Sequence, residues 1–156
     1  MDAAIPSRPS RMAIERQARR QDGASLLEVL VAVTIISIGL LGLAGLQATG
    51  VKNNYGAFLR AQAAQFAYDM TDRMRANRVA ARAGLYNLQM SDDPPEEQET
   101  VQDLDRTQWL ADLSTLPAGD GAISQGNDGK MTVTVQWDDR RAGGSQTEQI
   151  QIETRL

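Results

Sequence analysis

The stretch that decides the fold is GASLLEVLVAVTIISIGLLGLAGL, residues 23–46. From Ala24 to Leu46 the residues are apolar, small or hydroxyl-bearing, with one acid, Glu28. A helix needs about 20 apolar residues to cross the hydrocarbon core of a bilayer, and this segment is long enough. A charge inside such a segment costs roughly 2.5–3.5 kcal/mol to insert, so Glu28 is a candidate functional residue. Its place near the start of the segment lowers that cost, because the acid can lie close to the headgroups.

Three hypotheses account for this segment. The first is an ordinary signal peptide, with Gly42-Leu43-Ala44 as a small-x-small cleavage site. Its apolar region would be longer than the roughly 7–15 residues of such peptides, and it would contain an acid. The second is a plain single-pass membrane anchor. The third is a leader that is cut before the apolar run, between Gly23 and Ala24.

The charges on either side of the segment predict its orientation. Residues 1–23 contain five arginines and three acids, a net +2, whereas the whole chain has a net charge of −4. The remainder therefore carries −6. Positive charge before a first apolar segment keeps that end in the cytoplasm, so we expect the acidic remainder to be exported. Met1 and Met12 are both candidate start residues.

The composition excludes several classes of function. The chain has no Cys and no His, which rules out disulfides, thiolate metal sites and histidine-based catalytic triads. No pair of nucleophile and general base stands out either, so we expect neither an enzyme nor a bound cofactor. The acidic body argues against binding to nucleic acid, and the adjacent Arg140 and Arg141 lie beside Asp138 and Asp139 in a mixed surface loop.

One long helix is predicted from Ala24 to about Asn77. Its second half has an apolar stripe with helical spacing. The predicted stripe comprises Val51, Tyr55, Phe58, Leu59, Gln62, Phe66, Met70 and Met74. Glycines 39, 42 and 45 would allow another helix to approach closely, although glycine is also common in membrane helices.

The remaining residues predict a small α+β head. Residues 102–114 are expected to form a helix with Leu104, Trp109, Leu110 and Leu113 on its apolar side, after an acidic surface loop at 91–99. Alternation predicts strands at 131–137 and 149–154, joined by residues 138–145 as an antiparallel hairpin. A weaker strand is expected at 122–124, with a turn at 127–129.

The segment Gly23-Ala24-Ser25-Leu26-Leu27-Glu28-Val29 resembles the processing and N-methylation motif of type IV prepilins and type II secretion pseudopilins. That motif is a Gly, a new N-terminal residue, a Ser or Thr, two apolar residues and a Glu, followed by a long apolar run. The family most often has Phe where this chain has Ala24.

The head is similar to PilV-type minor pilins of type IVa pili. The resemblance lies in Trp109-Leu110-x-x-Leu113, Leu116-Pro117-Ala118-Gly119-x-Gly121, Val133-x-Val135-x-Trp137-Asp138 and Met74-Arg75-Ala76-Asn77-Arg78. It implies a ladle-shaped fold, in which a long N-terminal helix packs on a small antiparallel sheet. The implied domains are a cytoplasmic leader (1–23), a transmembrane half-helix (24–46), an amphipathic half-helix (47–78) and a globular head (79–156).

The resemblance also implies a role for each residue of the motif. Cleavage would follow Gly23, Ala24 would become the N-methylated terminus, and Glu28 would form a salt bridge with an N-terminal amine during assembly. The implied partners are a prepilin peptidase, other minor pilins and the major pilin, an inner-membrane assembly platform, and the membrane itself through residues 24–46. The head would face the periplasm and then join the pilus.

The implied function is a minor pilin that helps to initiate or tip a type IV pilus. Two alternatives remain at this stage: a minor pseudopilin of a type II secretion system, and a pilus-tip adhesin or binding subunit.

Overall fold

The computed structural model describes residues 25–126 and 128–156 of the chain. The fold is α+β, as predicted: a long helix precedes a three-stranded antiparallel sheet. The elements in chain order are α1 (Leu26–Ala76), α2 (Arg78–Arg82), α3 (Val101–Leu113), β1 (Asp120–Gln125), β2 (Lys130–Trp137), a 3-10 turn (Arg140–Ala142) and β3 (Glu148–Arg155). The chain divides into two compact units at Leu41 and Gly42.

The described part of the first unit is the start of α1, up to Leu41. Every residue from Ser25 to Leu41 is exposed, including leucines, isoleucines and valines. The hydroxyls within this part donate back along the helix, Thr34 to the carbonyl of Leu30 at 2.8 Å and Ser37 to the carbonyl of Val33 at 2.7 Å. The helix therefore satisfies these polar groups internally, as an apolar surrounding requires.

In the second unit, α1 packs against the sheet through a stripe of small and flexible residues. The buried side chains of this stripe are Leu59, Ala63, Ala67, Met70, Thr71 and Met74. The predicted stripe was wrong at Phe58 and Val51, which are 60% and 68% exposed. The alanines supply the contact face because a methyl side chain lets helix and sheet approach closely, and the methionines fill the remaining gaps.

The sheet has the order β1-β2-β3, and both neighbouring pairs are antiparallel. Strand β2 is the central strand, and four of its alternate side chains are buried against the helices: Met131, Val133, Val135 and Trp137. The predicted hairpin is the pair β2–β3, in which Val133 lies opposite Ile152 and Val135 opposite Ile150. The weaker predicted strand is β1, which is longer than expected. Of the predicted turn 127–129, Asn127 lies outside the described residues.

Helix α3 begins at an N-cap, where the Thr100 hydroxyl accepts a hydrogen bond from the backbone N–H of Asp103. Trp109 and Leu113 are buried and Leu110 is partly buried. The prediction for Leu104 was wrong, since this side chain is 54% exposed near the start of the helix. Only the second half of α3 faces the core.

Three of the four segments quoted for the resemblance pack together: 109–113, 116–121 and 133–138. The sheet lies directly on Trp109 and Leu113, and a Cβ at Gly121 would overlap the Trp109 ring. The backbone N–H of Asp138 donates to the carbonyl of Pro117 at 2.7 Å, which ties the end of β2 to the segment after α3. Pattern residues that are distant in sequence thus form one packing unit.

A second glycine contact joins the hairpin connection to α1. A Cβ on Gly56 would lie 2.9 Å from the Cβ of Ala142 and 3.4 Å from Oδ1 of Asp139. Asp139 is 5% exposed, and its Oδ1 has no hydrogen-bond partner among the described residues. The connection between β2 and β3 can therefore lie against α1 because residue 56 has no side chain.

Arg73 on α1 fastens α3 to the long helix. Its guanidinium lies 2.7 Å from the carboxylate of Asp69, 3.5 Å from that of Asp105 and 3.8 Å from that of Asp112. It also donates to the side-chain carbonyl of Gln108 at 3.0 Å. One cation thus holds one acid of its own helix and two of α3, with its side chain only 20% exposed.

Candidate assembly site at the start of the long helix

Helix α1 starts at a cap that Ser25 provides. The backbone N–H of Glu28 donates to the Ser25 hydroxyl at 3.2 Å, and the N–H of Val29 donates to the Ser25 carbonyl at 3.2 Å. A serine followed three residues later by a glutamate is the sequence signature of a capping box. The spacing of Ser25 and Glu28 in the motif therefore has a local purpose, because it defines where the helix begins.

The carboxylate of Glu28 is available for a partner. Its backbone N–H is used by the cap, but within residues 25–126 and 128–156 no side chain forms a hydrogen bond or ion pair with its carboxylate. Glu28 lies in the first turn of α1, where the positive end of the helix dipole favours a negative charge. Among the described residues, its oxygens are accessible to an external amine.

An uncovered apolar surface surrounds the acid. None of the residues from Leu26 to Leu46 is buried; Leu26 is 90% exposed and Leu27 72%. Within the described residues, α1 is the one helix long and apolar enough to cross a membrane, and its position near the N-terminus is also that of a signal sequence. A surface of this size requires lipid or other protein chains to cover it.

The predicted glycine positions are open as well. A Cβ on Gly39, Gly42 or Gly45 would meet no atom of residues 25–126 and 128–156 within 4 Å. Packing among these described residues therefore does not require glycine at the three positions. A neighbouring helix remains one explanation for them, and the general frequency of glycine in membrane helices remains the other.

The predicted cleavage residues, Gly23 and Ala24, lie outside the described residues, and so does the leader, 1–23. Their assignment stays a prediction from the sequence. Immediately after these residues, helix α1 begins at Leu26, and Ser25 is its cap.

The two arginines of the connection between β2 and β3, Arg140 and Arg141, have different surroundings. Arg140 makes a close ion pair with Asp138, with its Nε 3.0 Å from each carboxylate oxygen. Hydrogen bonds from the Arg140 side chain and backbone hold the pKa of Asp138 below its usual range. Arg141 is exposed beside this pair. Because the Arg140 guanidinium is paired with the Asp138 carboxylate, the loop presents both positive and negative charges, as its sequence indicated.

The sequence analysis missed two features of this region: the capping role of Ser25 and the lack of a partner for the Glu28 carboxylate. The first could have been predicted, because Ser-x-x-Glu before an apolar run is a known signal for a helix start. The second could not, because whether a side chain forms an ion pair with the Glu28 carboxylate depends on which residues the tertiary fold places near it.

The comparisons with known proteins agree with this site. A family model described as "Prokaryotic N-terminal methylation motif" matches residues 18–44, which cover the end of the predicted leader, the cap, Glu28 and most of the apolar segment. No curated protein and no solved structure matches the chain.

The fold and the motif together support the class of type IV pilins and pseudopilins, whose members are structural subunits rather than enzymes. The motif implies processing by a prepilin peptidase and assembly into a pilus-like fibre. The single apolar N-terminal helix fits a membrane-anchored member of this class.

Proposed function

We propose that this chain is a minor subunit of a type IV pilus, of the PilV type, that helps to initiate or tip pilus assembly. The observation that carries the proposal is the first turn of α1, where an acid without a partner in the described chain stands at the start of the exposed apolar half of the helix. The match of residues 18–44 to the N-terminal methylation motif supports the same class. The minor role and the PilV type rest on the pattern of the head.

In this proposal, the peptidase cuts between Gly23 and Ala24 on the cytoplasmic side of the inner membrane. A residue without a side chain before the bond lets the backbone enter a narrow protease cleft. Ala24 then becomes the N-terminus and is methylated. Since the helix cap is at Ser25, the new amine would belong to the residue that precedes the cap in sequence.

Glu28 would supply the assembly contact. In the low dielectric of a bundle of apolar helices, an ionised carboxylate needs a partner of opposite charge. The N-terminal amine of a neighbouring subunit is such a partner. A subunit that docked at the wrong height would leave the acid unpaired, so the pair would set the axial stagger between subunits.

The remaining partners follow from the proposed place in the membrane. The chain would sit in the inner membrane through residues 24–46 with its head in the periplasm. There it would meet other minor pilins, the major pilin and the assembly platform. The compact packing unit of Trp109, Leu113 and Gly121 supports a head of the PilV pattern, and the head would be carried outward as the fibre grows.

A minor pseudopilin of a type II secretion system is the second candidate, because the methylation motif is common to both systems. Deletion of the gene, followed by complementation with the wild-type chain, separates the candidates. We expect the deletion strain to lose most surface pili and to keep secretion of exported enzymes. Loss of secretion with normal pili would identify a pseudopilin, and normal fibres that fail to adhere would identify a tip adhesin.

A further inference from the structure

The two edges of the sheet differ, and the difference can be derived from the backbone hydrogen bonds. Leu88 and Ile123 exchange both N–H···O bonds, at 2.9 and 2.8 Å, across the outer side of β1. Ile123 therefore points its backbone groups away from β2. In an antiparallel ladder such residues alternate with those that bond to the neighbouring strand. It follows that Thr132 and Thr134 of β2 bond to β1, whereas Val133 and Val135 bond to β3.

The same alternation fixes the outward groups of β3. Ile150 and Ile152, opposite Val135 and Val133, direct their backbone groups to β2. The residues between them direct their N–H and C=O groups to the outer edge; these are Gln149, Gln151, Glu153 and Arg155. Within the described part of the chain, no hydrogen bond to these backbone groups is formed. Strand β3 thus presents an open edge, eight residues long.

The edge of β1, by contrast, is contacted at its two ends and in the middle by the segment from Arg82 to Ser91. The side chain of Gln125 donates to the carbonyl of Arg82 at 3.1 Å at one end. The backbone N–H of Ser91 donates to the Asp120 carboxylate at 2.9 Å at the other. The Leu88–Ile123 pair lies between these contacts. One edge is therefore closed by the chain itself.

The edge of β3 has few of the features that natural proteins use to protect such edges. Its register with β2 is continuous over eight residue pairs, without a bulge, and it contains no proline. Residues 149–152 are uncharged, and the charged residues of the strand are Glu148, Glu153 and Arg155. Two side-chain contacts join the ends of the strand to α1: Arg60 to Glu148 at 2.9 Å and Arg75 to Thr154 at 3.1 Å. The outer edge of the strand is thus regular in register and anchored to α1 at both ends.

We propose that the outer edge of β3 binds an extended segment of a different protein chain, which adds a fourth strand to the sheet. The backbone groups of the edge complement those of a strand and give the affinity. Ile150 and Ile152 are only partly buried on the α1 side, so the segment would place aliphatic side chains there. Gln149 and Gln151 on the opposite side would meet polar side chains. This inference rests on the proposed function for the orientation of neighbouring subunits.

A second copy of this chain does not fit the edge. Two β3 edges can pair symmetrically as antiparallel strands only if the two heads have opposite polarity, whereas subunits of a membrane-assembled fibre share one polarity. Head-to-tail pairing of β3 with the β1 edge of the next copy is blocked by the Arg82–Ser91 segment. The occupant is therefore a non-identical chain, which suits a subunit that joins different subunits at the start of a fibre.

The test uses the full-length chain in its own host, with a photocrosslinking amino acid in place of Gln149. A second substitution, Gln151→Pro, removes one outward N–H and places a ring at the edge, while the bonds of Ile150 and Ile152 to β2 remain. Gln151→Thr is the matched control, because it keeps the N–H and a residue that favours strands. Tryptophan fluorescence on thermal unfolding verifies that both variants fold, since both tryptophans are in the head.

We expect a crosslink to an extended segment of a non-identical chain. Its yield should fall about tenfold with Gln151→Pro, because the ring removes a hydrogen bond and blocks close approach. With Gln151→Thr the yield should stay within about twofold, because that edge keeps its hydrogen bonds. In the purified protein in detergent, amide exchange at 149, 151 and 153 should be fast and that at 150 and 152 slow.

A crosslink to a second copy of this chain, a crosslink that Gln151→Pro leaves unchanged, or slow exchange at 149, 151 and 153 in the isolated protein would each overturn the proposal. The crosslink is measured whether or not pili form. If the captured chain belongs to no fibre system, the edge site stands and the proposed function fails. If deletion abolishes pili but the crosslink is insensitive to proline, the proposed function stands and the edge site fails.

Discussion

The Tyr86 hydroxyl donates a hydrogen bond to the Asp105 carboxylate, with Oη and Oδ2 2.6 Å apart. Tyr86 is completely buried, and the guanidinium of Arg73 lies 3.5 Å from the other oxygen of the same carboxylate. This contact joins the segment after α2 to α3, and through Arg73 to α1. Burial of the phenol, together with the hydrogen bond to Asp105, raises the pKa of Tyr86 to about 12.

The raised pKa predicts a loss of stability at alkaline pH. In the unfolded chain the phenol loses its proton near pH 10, whereas in the folded head it keeps the proton to about pH 12. The contribution of Tyr86 is thus fully present below pH 10 and is lost as the pH rises through that window. We expect the free energy of unfolding to fall by at most about 1.4 kcal/mol per pH unit there.

The measurement is urea unfolding of the full chain in detergent at pH 9 and pH 11, followed by tryptophan fluorescence. Tyr86→Phe is the matched variant, because it keeps the ring and removes the titrating hydroxyl. It should be less stable at pH 9, where a hydrogen bond is lost, and should lose less stability between the two pH values. Equal pH dependence in both proteins would show that folding does not raise the pKa of Tyr86.

Processing provides the second prediction. Mass spectrometry of the membrane-extracted protein should give an N-terminus at Ala24, heavier by one methyl group. Gly23→Leu should leave the precursor uncut, because a side chain before the bond obstructs the cleft, whereas Ala24→Phe should still be cut, since Phe is the usual residue of the motif. A terminus near Gly45 would show instead that residues 1–44 act as an ordinary signal peptide.

The third prediction concerns Glu28. Glu28→Ala should be processed and inserted at least as well as the wild type, because it removes a charge from the apolar segment. It should nevertheless fail to restore pili in a deletion strain. Glu28→Gln should fail too, since it keeps the shape of the side chain and loses the charge that attracts an amine.

Surface pili are counted by electron microscopy, and processing is verified by immunoblot in the same cells. Ser25→Ala is the control for the cap: it removes the hydroxyl that caps the helix, at a cost of about 1 kcal/mol, and leaves the acid in place. Full piliation with Glu28→Gln would exclude charge pairing as the mechanism.

The fourth prediction compares the two buried tryptophans. The indole N–H of Trp109 donates to the carbonyl of Phe66 at 2.9 Å, whereas that of Trp137 has no partner among the described residues. Trp137→Ala should cost about 3–5 kcal/mol, because the ring is buried. Trp137→Phe should cost less than Trp109→Phe, since only the latter breaks a hydrogen bond. The reverse order in chemical unfolding would indicate that a buried water satisfies Trp137.

The sequence alone was sufficient for the long helix and for the hairpin. A continuous apolar run has no other way to satisfy its backbone in an apolar surrounding, and alternation in 131–137 and 149–154 assigns one face of each strand to the core. The helix cap formed by Ser25 and Glu28 could also have been predicted from the sequence, because capping depends on residues only three positions apart.

Only the tertiary structure decided which face of α1 is buried. The sequence placed both Phe58 and Leu59 in the apolar stripe, but the structure buries Leu59 together with Ala63 and Ala67 and leaves Phe58 60% exposed. The open edge of β3 was likewise invisible in the sequence, since β1 and β3 both read as strands. The two strands differ because the Arg82–Ser91 segment lies along β1 and not along β3. The contact that places it there, between Leu88 and Ile123, joins residues more than 30 positions apart in the sequence.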